Sequence, residues 1–239
     1  MTRTRGGWAT AAVAAFALLS TGAGDSGPSP DILESGEVLY SQGPEELIIR
    51  HFFDDRRGGF FLDVGAWQWK EASTTFYLEK HLGWTGIAID ALREFKADYL
   101  EHRPKTQFFN YAVSARSGGT IMIYTAGPLT STFKDHLTLF PEAKGRRGSP
   151  RRVPTITLND LLDREGIDRI DFLSMDIEES EPAALAGFDI ERFRPELVCI
   201  EATERVKEPI AAYFKAHGYE RIDAYLERDP SNWYYRPIR

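Results

Sequence analysis

FFLDVGAWQWKEASTTFYLEKHLGWTGIAID, residues 60–90, holds two apolar runs with an amphipathic stretch between them. The first run, FFLDVGA (60–66), follows Gly58-Gly59, and the second, WTGIAID, spans 84–90. Strands covered on both faces read as near-continuous apolar runs, whereas one-sided strands alternate. Between the runs Phe76, Tyr77 and Lys80 or His81 recur at helical spacing and predict a helix over Ala72–Leu82. Gly83 stands where a left-handed C-cap would end it. Two strands joined by a crossover helix pair in parallel through a right-handed connection.

The alternation continues outward. A second helix is expected over Leu92–His102, stopping before Pro104, and QFFNYAVS (107–114) reads as the next strand. Residues 118–152 are less regular, with a hairpin strand at TIMIY (120–124) and a loop rich in Gly and Arg. VPTITL (153–158) leads into a helix over Asn159–Glu165. IDFLSMDIE (170–178) is a strand, Ser180–Phe188 a helix with Pro182 in its first turn, and PELVCIEA (195–202) a further strand. A helix over Lys207–His217 ends at Gly218, and residues 219–236 read as two closing strands joined at Asp229-Pro230-Ser231. The pattern predicts an α/β, Rossmann-like architecture: a central, mostly parallel sheet with helices on both faces.

The chemistry gathers at strand ends. In a doubly wound sheet the ligand lies beyond the carboxyl ends of the strands. Asp63, followed by Val64, Gly65 and Ala66, stands at such an edge. The glycine lets backbone approach a ligand, and the acid can accept hydrogen bonds from a cofactor amine or hydroxyl. A plain turn glycine is the alternative for Gly65. Asp90, one strand over, can accept from both hydroxyls of a ribose, or can cap the helix that starts near Leu92. A dinucleotide site needs G-x-G-x-x-G to seat a pyrophosphate, but Gly65 is followed by Ala66-Trp67-Gln68-Trp69-Lys70. One glycine with two acids suits a nucleoside cofactor without phosphates, such as S-adenosylmethionine.

A third acid group, Asp176-Ile177-Glu178-Glu179-Ser180-Glu181, follows an apolar strand. Asp176 could take a proton from a substrate hydroxyl or hold a sulfonium by charge. With Glu201, at the end of the next strand, it could instead coordinate a divalent cation through oxygen, although no metal is expected as a resident ligand. Glu179 and Glu181 fit equally well as a solvated helix start.

Composition limits the alternatives. The chain has 239 residues with 42% hydrophobic and 27% charged residues, enough for a full core. A net charge of -7 and a pI near 5.4 argue against a broad nucleic-acid footprint, which needs a basic face. The single cysteine, Cys199, excludes an intrachain disulfide and a thiolate zinc site. Arg3 and Arg5, the apolar run Trp8–Leu19 and the small residues through Gly24 have the order of a secretory signal or short anchor, or form a disordered extension. Gly27-Pro28-Ser29-Pro30 reads as a linker, so residues 1–30 are expected to precede a domain over 31–239.

Three stretches, FFLDVGAWQWKEASTTFYLEKHLGWTGIAID, VPTITLNDLLDREGIDRIDFLSMDIEESE and LAGFDIERFRPELVCIEA, resemble the FkbM family of O-methyltransferases and cover most of residues 58–202. The resemblance implies a class I methyltransferase fold, S-adenosylmethionine as donor, and a hydroxyl acceptor on a sugar, glycolipid or secondary metabolite. By position it assigns Asp63, Gly65 and Ala66 to the first cofactor loop, Asp90 to the ribose, Asn110 to the adenine, and Asp176 with Glu178 to the D-x-E after the fourth strand. The chain departs from the family where Trp67 and Trp69 replace Asn or Asp and a second glycine, and where Glu179 replaces the usual glycine after D-x-E. A donor made in the cytosol favours a cytoplasmic or membrane-associated enzyme, with membrane association through the N-terminal segment. Two rivals remain at this point: a non-catalytic membrane-tethered protein on the same fold, similar to the Star proteins, and a nicotinamide-dependent oxidoreductase.

Other residues admit plain readings. Trp67, Trp69 and Trp84 could stack on a ligand but more often fill a core. His51 and His81 read as surface or core histidines and Cys199 as an inert core thiol. Arg146, Arg147, Arg151 and Arg152 read as a solvated loop, or as a clamp for an anionic acceptor. Leu129–Phe133 could line the acceptor entrance or form a simple loop.

Overall fold

The computed structural model describes residues 30–139 and 148–239. The signal-like segment and two of the four clamp arginines, Arg146 and Arg147, lie outside the described residues. No helix among the described residues is long and apolar enough to cross a membrane.

The described chain opens with two helices that have no counterpart in the sequence-derived elements, α1 (Pro30–Glu34) and α2 (Glu45–Phe53). α2 buries Leu47, Ile48, Ile49 and Phe53 and ends at Asp54 in the left-handed region. β1 (Phe60–Val64) follows. The helix expected over 72–82 is confined to α3 (Phe76–Lys80). Its start is displaced because the Ser73 hydroxyl accepts from the Phe76 N–H, while Thr75 turns away to Asp63. Gly83, at φ +75, ends the turn as expected.

β2 (Thr85–Asp90) pairs in parallel with β1, Phe60 opposite Thr85 through Val64 opposite Ile89. A 3-10 turn over Arg93–Phe95 precedes α4 (Lys96–His102), so the second expected helix begins later than Leu92. The expected strand 107–114 is two strands. β3 (Thr106–Asn110) pairs with β2, whereas β4 (Ala112–Val113) leaves to join another sheet. The break falls at Tyr111, whose N–H donates to the Asp90 carbonyl.

β5 (Thr120–Thr125) and β6 (Ser149–Ile156) are antiparallel, and with β4 they make a small three-stranded sheet in the order β4-β6-β5. α5 (Leu158–Arg164) is capped by Thr157, whose side chain accepts from the Asp160 N–H. β7 (Phe172–Met175) then returns to the main sheet. The helix expected over 180–188 is shorter: α6 (Glu181–Leu185), with Pro182 at its start, and a separate α7 (Ile190–Phe193) capped by Asp189. Between them Gly187 passes so close to the Ser114 carbonyl and Thr157 that a side chain would collide. β8 (Leu197–Glu201), α8 (Lys207–Ala216), β9 (Tyr219–Arg221) and β10 (Asn232–Pro237) complete the chain.

The main sheet runs β3-β2-β1-β7-β8-β10-β9, parallel from β3 to β8, with β10 antiparallel to both neighbours. Successive strand side chains point to opposite faces. Leu62, Leu173 and Val198 join the core under α5 to α8, with Leu161, Ala184, Phe193 and Phe214. Phe61, Phe172 and Leu197 face the other way, against Ile48, Ile49 and Phe53 of α2 and Leu78 of α3. The expected mostly parallel sheet with helices on both faces is therefore the architecture found. Trp84 belongs to the second core: it is fully buried, packs on Phe53 and donates its indole N–H to the Arg56 carbonyl. Cys199 is likewise buried in it.

Candidate active site

β1 is flanked by β2 on one side and β7 on the other, so the chain reverses its direction of winding there. Ligands of doubly wound sheets bind beyond the carboxyl ends of the strands at such a point. Two adjoining clefts open there. The first, of about 640 Å³, has an apolar wall of Ile89, Leu92, Tyr111, Val113 and Ile123 beside the acid Asp90. The second, of about 530 Å³, is polar and lined by Gln42, Asp63, Thr74 and Ser174. Gly65, Trp67, Pro128, Asp176 and Glu178 line both.

The loop after β1 is fixed at several points. The Gly65 and Ala66 N–H groups donate to the Ile89 carbonyl at 2.9 and 3.1 Å. The Trp67 N–H donates to Asp90 Oδ2 at 2.9 Å, and the Leu92 N–H to Asp90 Oδ1 at 2.6 Å. The Tyr99 hydroxyl donates to the carbonyls of Ala66 and Gln68. Further along, the buried Arg103 guanidinium donates to Glu79 Oε2 at 2.6 Å, to the Trp69 carbonyl at 2.9 Å and to the Thr75 hydroxyl at 3.3 Å. The Thr75 hydroxyl in turn donates to Asp63 Oδ2 at 2.7 Å. Asp63 is thus held through a chain that begins at a buried ion pair.

Both acids are held above the ordinary carboxylate range. Burial pushes Asp63 up to about 6, with the Thr75 hydrogen bond and the Arg103 charge opposing it. Burial also pushes Asp90 up to about 6, against the opposing hydrogen bonds from the Leu92 and Trp67 N–H groups. Each carboxylate oxygen carries two lone pairs, so Asp90 keeps acceptor capacity beyond its two backbone bonds.

Across the junction, β7 runs out into the acidic segment. Asp176 is exposed to the cleft. Burial by the surrounding walls, then the charges of Glu178, Glu45 and Asp63, raises it, and it shares a hydrogen bond with Glu201. Glu178 and Glu179 occupy the left-handed region at φ 55 and 74, where non-glycine residues are uncommon. They are fixed from a segment that follows the small sheet's β5. The Ser131 hydroxyl donates to the Glu178 carbonyl at 2.7 Å, Thr132 and Ser180 share a hydrogen bond at 2.8 Å, and buried His136 lies 2.6 Å from Glu178 Oε2. Burial alone would lower the His136 imidazole, but Glu178 and Glu179 outweigh it and raise it. Arg205 pairs with Glu179 at 3.0 Å. The position where a glycine is usual in the resembled family is therefore filled by an acid with its own ion pair.

Of the residues singled out in the sequence, Asp63, Gly65, Ala66, Asp90, Asp176 and Glu178 converge on the clefts. Asn110 does not line either. Its side chain donates to the Asp90 carbonyl at 2.9 Å, and Tyr111 and Ala112 take the wall instead. Thr130, Ser131 and Thr132 line the first cleft, whereas Phe133 is exposed. Trp67 faces the clefts at φ 46, while Trp69 packs between His102 and Phe76. His51 bonds Tyr225 and His81 bonds Tyr40, away from the clefts. Arg151 is committed to an ion pair with Glu94. Gln42, Arg103 and His136 carry no sequence signal, because each acts through a contact distant in the chain rather than through a spacing.

A switch-point cleft with one glycine turn and an acid at each of two neighbouring strand ends belongs to a Rossmann-like fold, the class I architecture that methyltransferases share. The sequence model of the methyltransferase FkbM domain matches residues 63–228, and the chain belongs to that family, which implies S-adenosylmethionine as its donor. In structure the chain is similar to a TehB-like SAM-dependent methyltransferase from Corynebacterium glutamicum ATCC 13032 Kitasato (TM-score 0.45, 13% identity, covering 86% of this chain and 90% of that one). It is also similar to a candidate RNA methyltransferase from Pyrococcus horikoshii (TM-score 0.40, 14% identity, covering 82% of each chain). No curated protein matches it in sequence.

Proposed function

We propose that the protein methylates a hydroxyl of a sugar, glycolipid or secondary metabolite, with residues 31–239 as the catalytic domain. The observation that carries the reading is the position of Asp176, an acid open to the point where the apolar and polar clefts meet. The residues present fit the donor. Asp90 has spare acceptor sites for ribose hydroxyls beside an apolar wall that suits a base, and Gly65 keeps the cleft floor free of a side chain. Asp63 and Ala66 border the polar cleft, which suits an amino-acid moiety. Asn110 acts indirectly, by fixing the Asp90 backbone.

When bound, S-adenosylmethionine supplies a methyl group on a positively charged sulfur. Asp176 orients the acceptor hydroxyl and takes its proton, and its raised affinity for protons suits that work near neutral pH. Glu178, tied to His136, holds the second side of the acceptor position. The apolar wall and the Thr130–Thr132 segment keep water from the reacting atoms. Alignment of nucleophile and methyl carbon supplies several kcal/mol of the barrier reduction, about 7 or more at best.

Calorimetric titration with S-adenosylmethionine and S-adenosylhomocysteine, followed by transfer of labelled methyl groups to a panel of sugars and glycolipids, tests the reading. Saturable binding with label on an acceptor oxygen is expected. A folded chain that binds neither compound would favour the non-catalytic reading, for which Trp67, held at φ 46 against the cleft, is the supporting observation.

A further inference from the structure

Glu181 is fully buried at the first position of α6, behind Asp176. Its Oε1 accepts from the Ile177 N–H at 2.8 Å, but its Oε2 is buried with no hydrogen-bond partner among the described residues. Glu201, at the end of β8, presents a second buried carboxylate oxygen without a partner, also Oε2. Asp176, Glu181 and Glu201 each offer a ligand atom, and these atoms lie within 4.8 Å of one another. A buried carboxylate oxygen left unpaired costs free energy, and two such oxygens beside a third carboxylate cost more.

We propose that Asp176, Glu181 and Glu201 bind one divalent cation of the oxygen-ligated class, Mg2+, Ca2+ or Mn2+. Carboxylate oxygens are the donors these hard cations take, with water completing the shell. Asp176 is open to the cleft, which gives the ion an entry path and room for such waters. The local charge balance agrees with the geometry. The largest charge effects on Glu201 come from Asp176, Glu178, Glu181 and Glu179, all of them carboxylates. Those on Glu181 come from Asp176 and Glu178. Arg205 and His136, on the neighbouring acids, are engaged with Glu179 and Glu178. The site shares Asp176 with the proposed methyl-transfer centre but does not depend on that reading.

The test is titration of the chelator-stripped full chain with Mn2+, free ion being read by electron paramagnetic resonance. One saturable ion per chain, displaced by Mg2+ or Ca2+, is expected. Glu181→Gln and Glu201→Gln should each weaken it by about tenfold or more, since even outer-shell changes cost that much at metal sites. Circular dichroism confirms that each variant is folded, and Asp176→Asn replaces any variant that is not. No saturable binding by the folded wild type, or affinity unchanged in the folded variants, overturns the proposal. Parallel titration with S-adenosylhomocysteine separates the two readings: cation binding without it sustains the cation site alone, and its binding without the cation sustains the donor reading alone.

Discussion

Gly65 leaves no room for a side chain against the backbone oxygen of Asp176. This contact joins the loop after β1 to the acid after β7, so the two sides of the cleft, proposed here for donor and acceptor, are set by one close approach. Gly65 also lies at φ +88, a conformation that L residues rarely adopt. Gly65→Ala should therefore strain the loop by about 1–3 kcal/mol and displace Asp176. Melting should show a modest loss of stability, and calorimetry a large loss of S-adenosylhomocysteine affinity. Normal affinity in the variant would mean that the loop relaxes without disturbing the site.

Asp90 has both oxygens engaged by backbone N–H groups, yet burial holds it up to about 6. In the proposed donor site its carboxylate is the form that would accept from ribose hydroxyls. Affinity for S-adenosylhomocysteine should be constant above pH 7 and fall as pH drops through 6. Asp90→Ala removes charged acceptors worth about 1.5–3 kcal/mol, roughly 10- to 100-fold in affinity. Calorimetry from pH 5 to 8 checks both, and a flat profile with an unaffected variant would remove Asp90 from the donor site.

Arg103 and Glu79 form a fully buried ion pair that also ties down Trp69, Thr75 and Thr106. Removing one partner strands a buried charge, at a cost of about 3–5 kcal/mol. Arg103→Met should lower the denaturation midpoint strongly and loosen the Thr75 hold on Asp63. The double variant Glu79→Leu with Arg103→Met should recover much of the stability. A double variant no better than the single one would locate the loss in the polar contacts rather than in the stranded acid.

The strands β1, β2, β7 and β8 were legible because a parallel strand buried on both faces writes its burial into consecutive apolar residues. Asp63, Asp90 and Asp176 were legible as acids ending those runs. What local pattern cannot encode is a long-range decision. Residues 107–114 read as one strand, but Tyr111 bonds back to Asp90 and Ala112 pairs instead with Thr155. The helix expected from Ala72 starts at Phe76 because Thr75 is drawn to Asp63 and Ser73 caps the later start. His136 sits in a stretch with no periodicity and becomes significant only through Glu178, 42 positions away in sequence. Trp67 and Glu179 stand where the chain departs from the resembled family, but only the backbone shows that both positions are left-handed.

The proposed role of Asp176 can be tested by kinetics. Asp176→Asn keeps the shape of the cleft and removes the proton acceptor, so methyl transfer should fall by about 10²- to 10⁴-fold while S-adenosylhomocysteine binding persists. Single-turnover transfer with a labelled donor, beside calorimetry, gives both quantities. Unchanged turnover would show that the acceptor loses its proton to solvent or to another group.

Glu181 makes a stability prediction with a definite sign. Burial is the chief reason that it is held up to about 8 in the fold, against an ordinary value of 4.5. Between these values the unfolded chain gives up a proton that the folded chain keeps. The contribution of Glu181 to stability in chelator-treated buffer should therefore fall as pH rises from about 5 to 8, by at most about 1.4 kcal/mol per pH unit. Below 4.5 both states hold the proton and the effect vanishes. Glu181→Gln cannot titrate, so its profile should be flatter and its stability at pH 8 should exceed that of the wild type. Urea denaturation at several pH values between 5 and 8.5 measures both slopes. Parallel slopes would show that Glu181 keeps its charge in the fold. A divalent cation added at pH 8 should then stabilise the wild type and leave Glu181→Gln largely unchanged, because an ion held by the three carboxylates favours the folded chain by mass action.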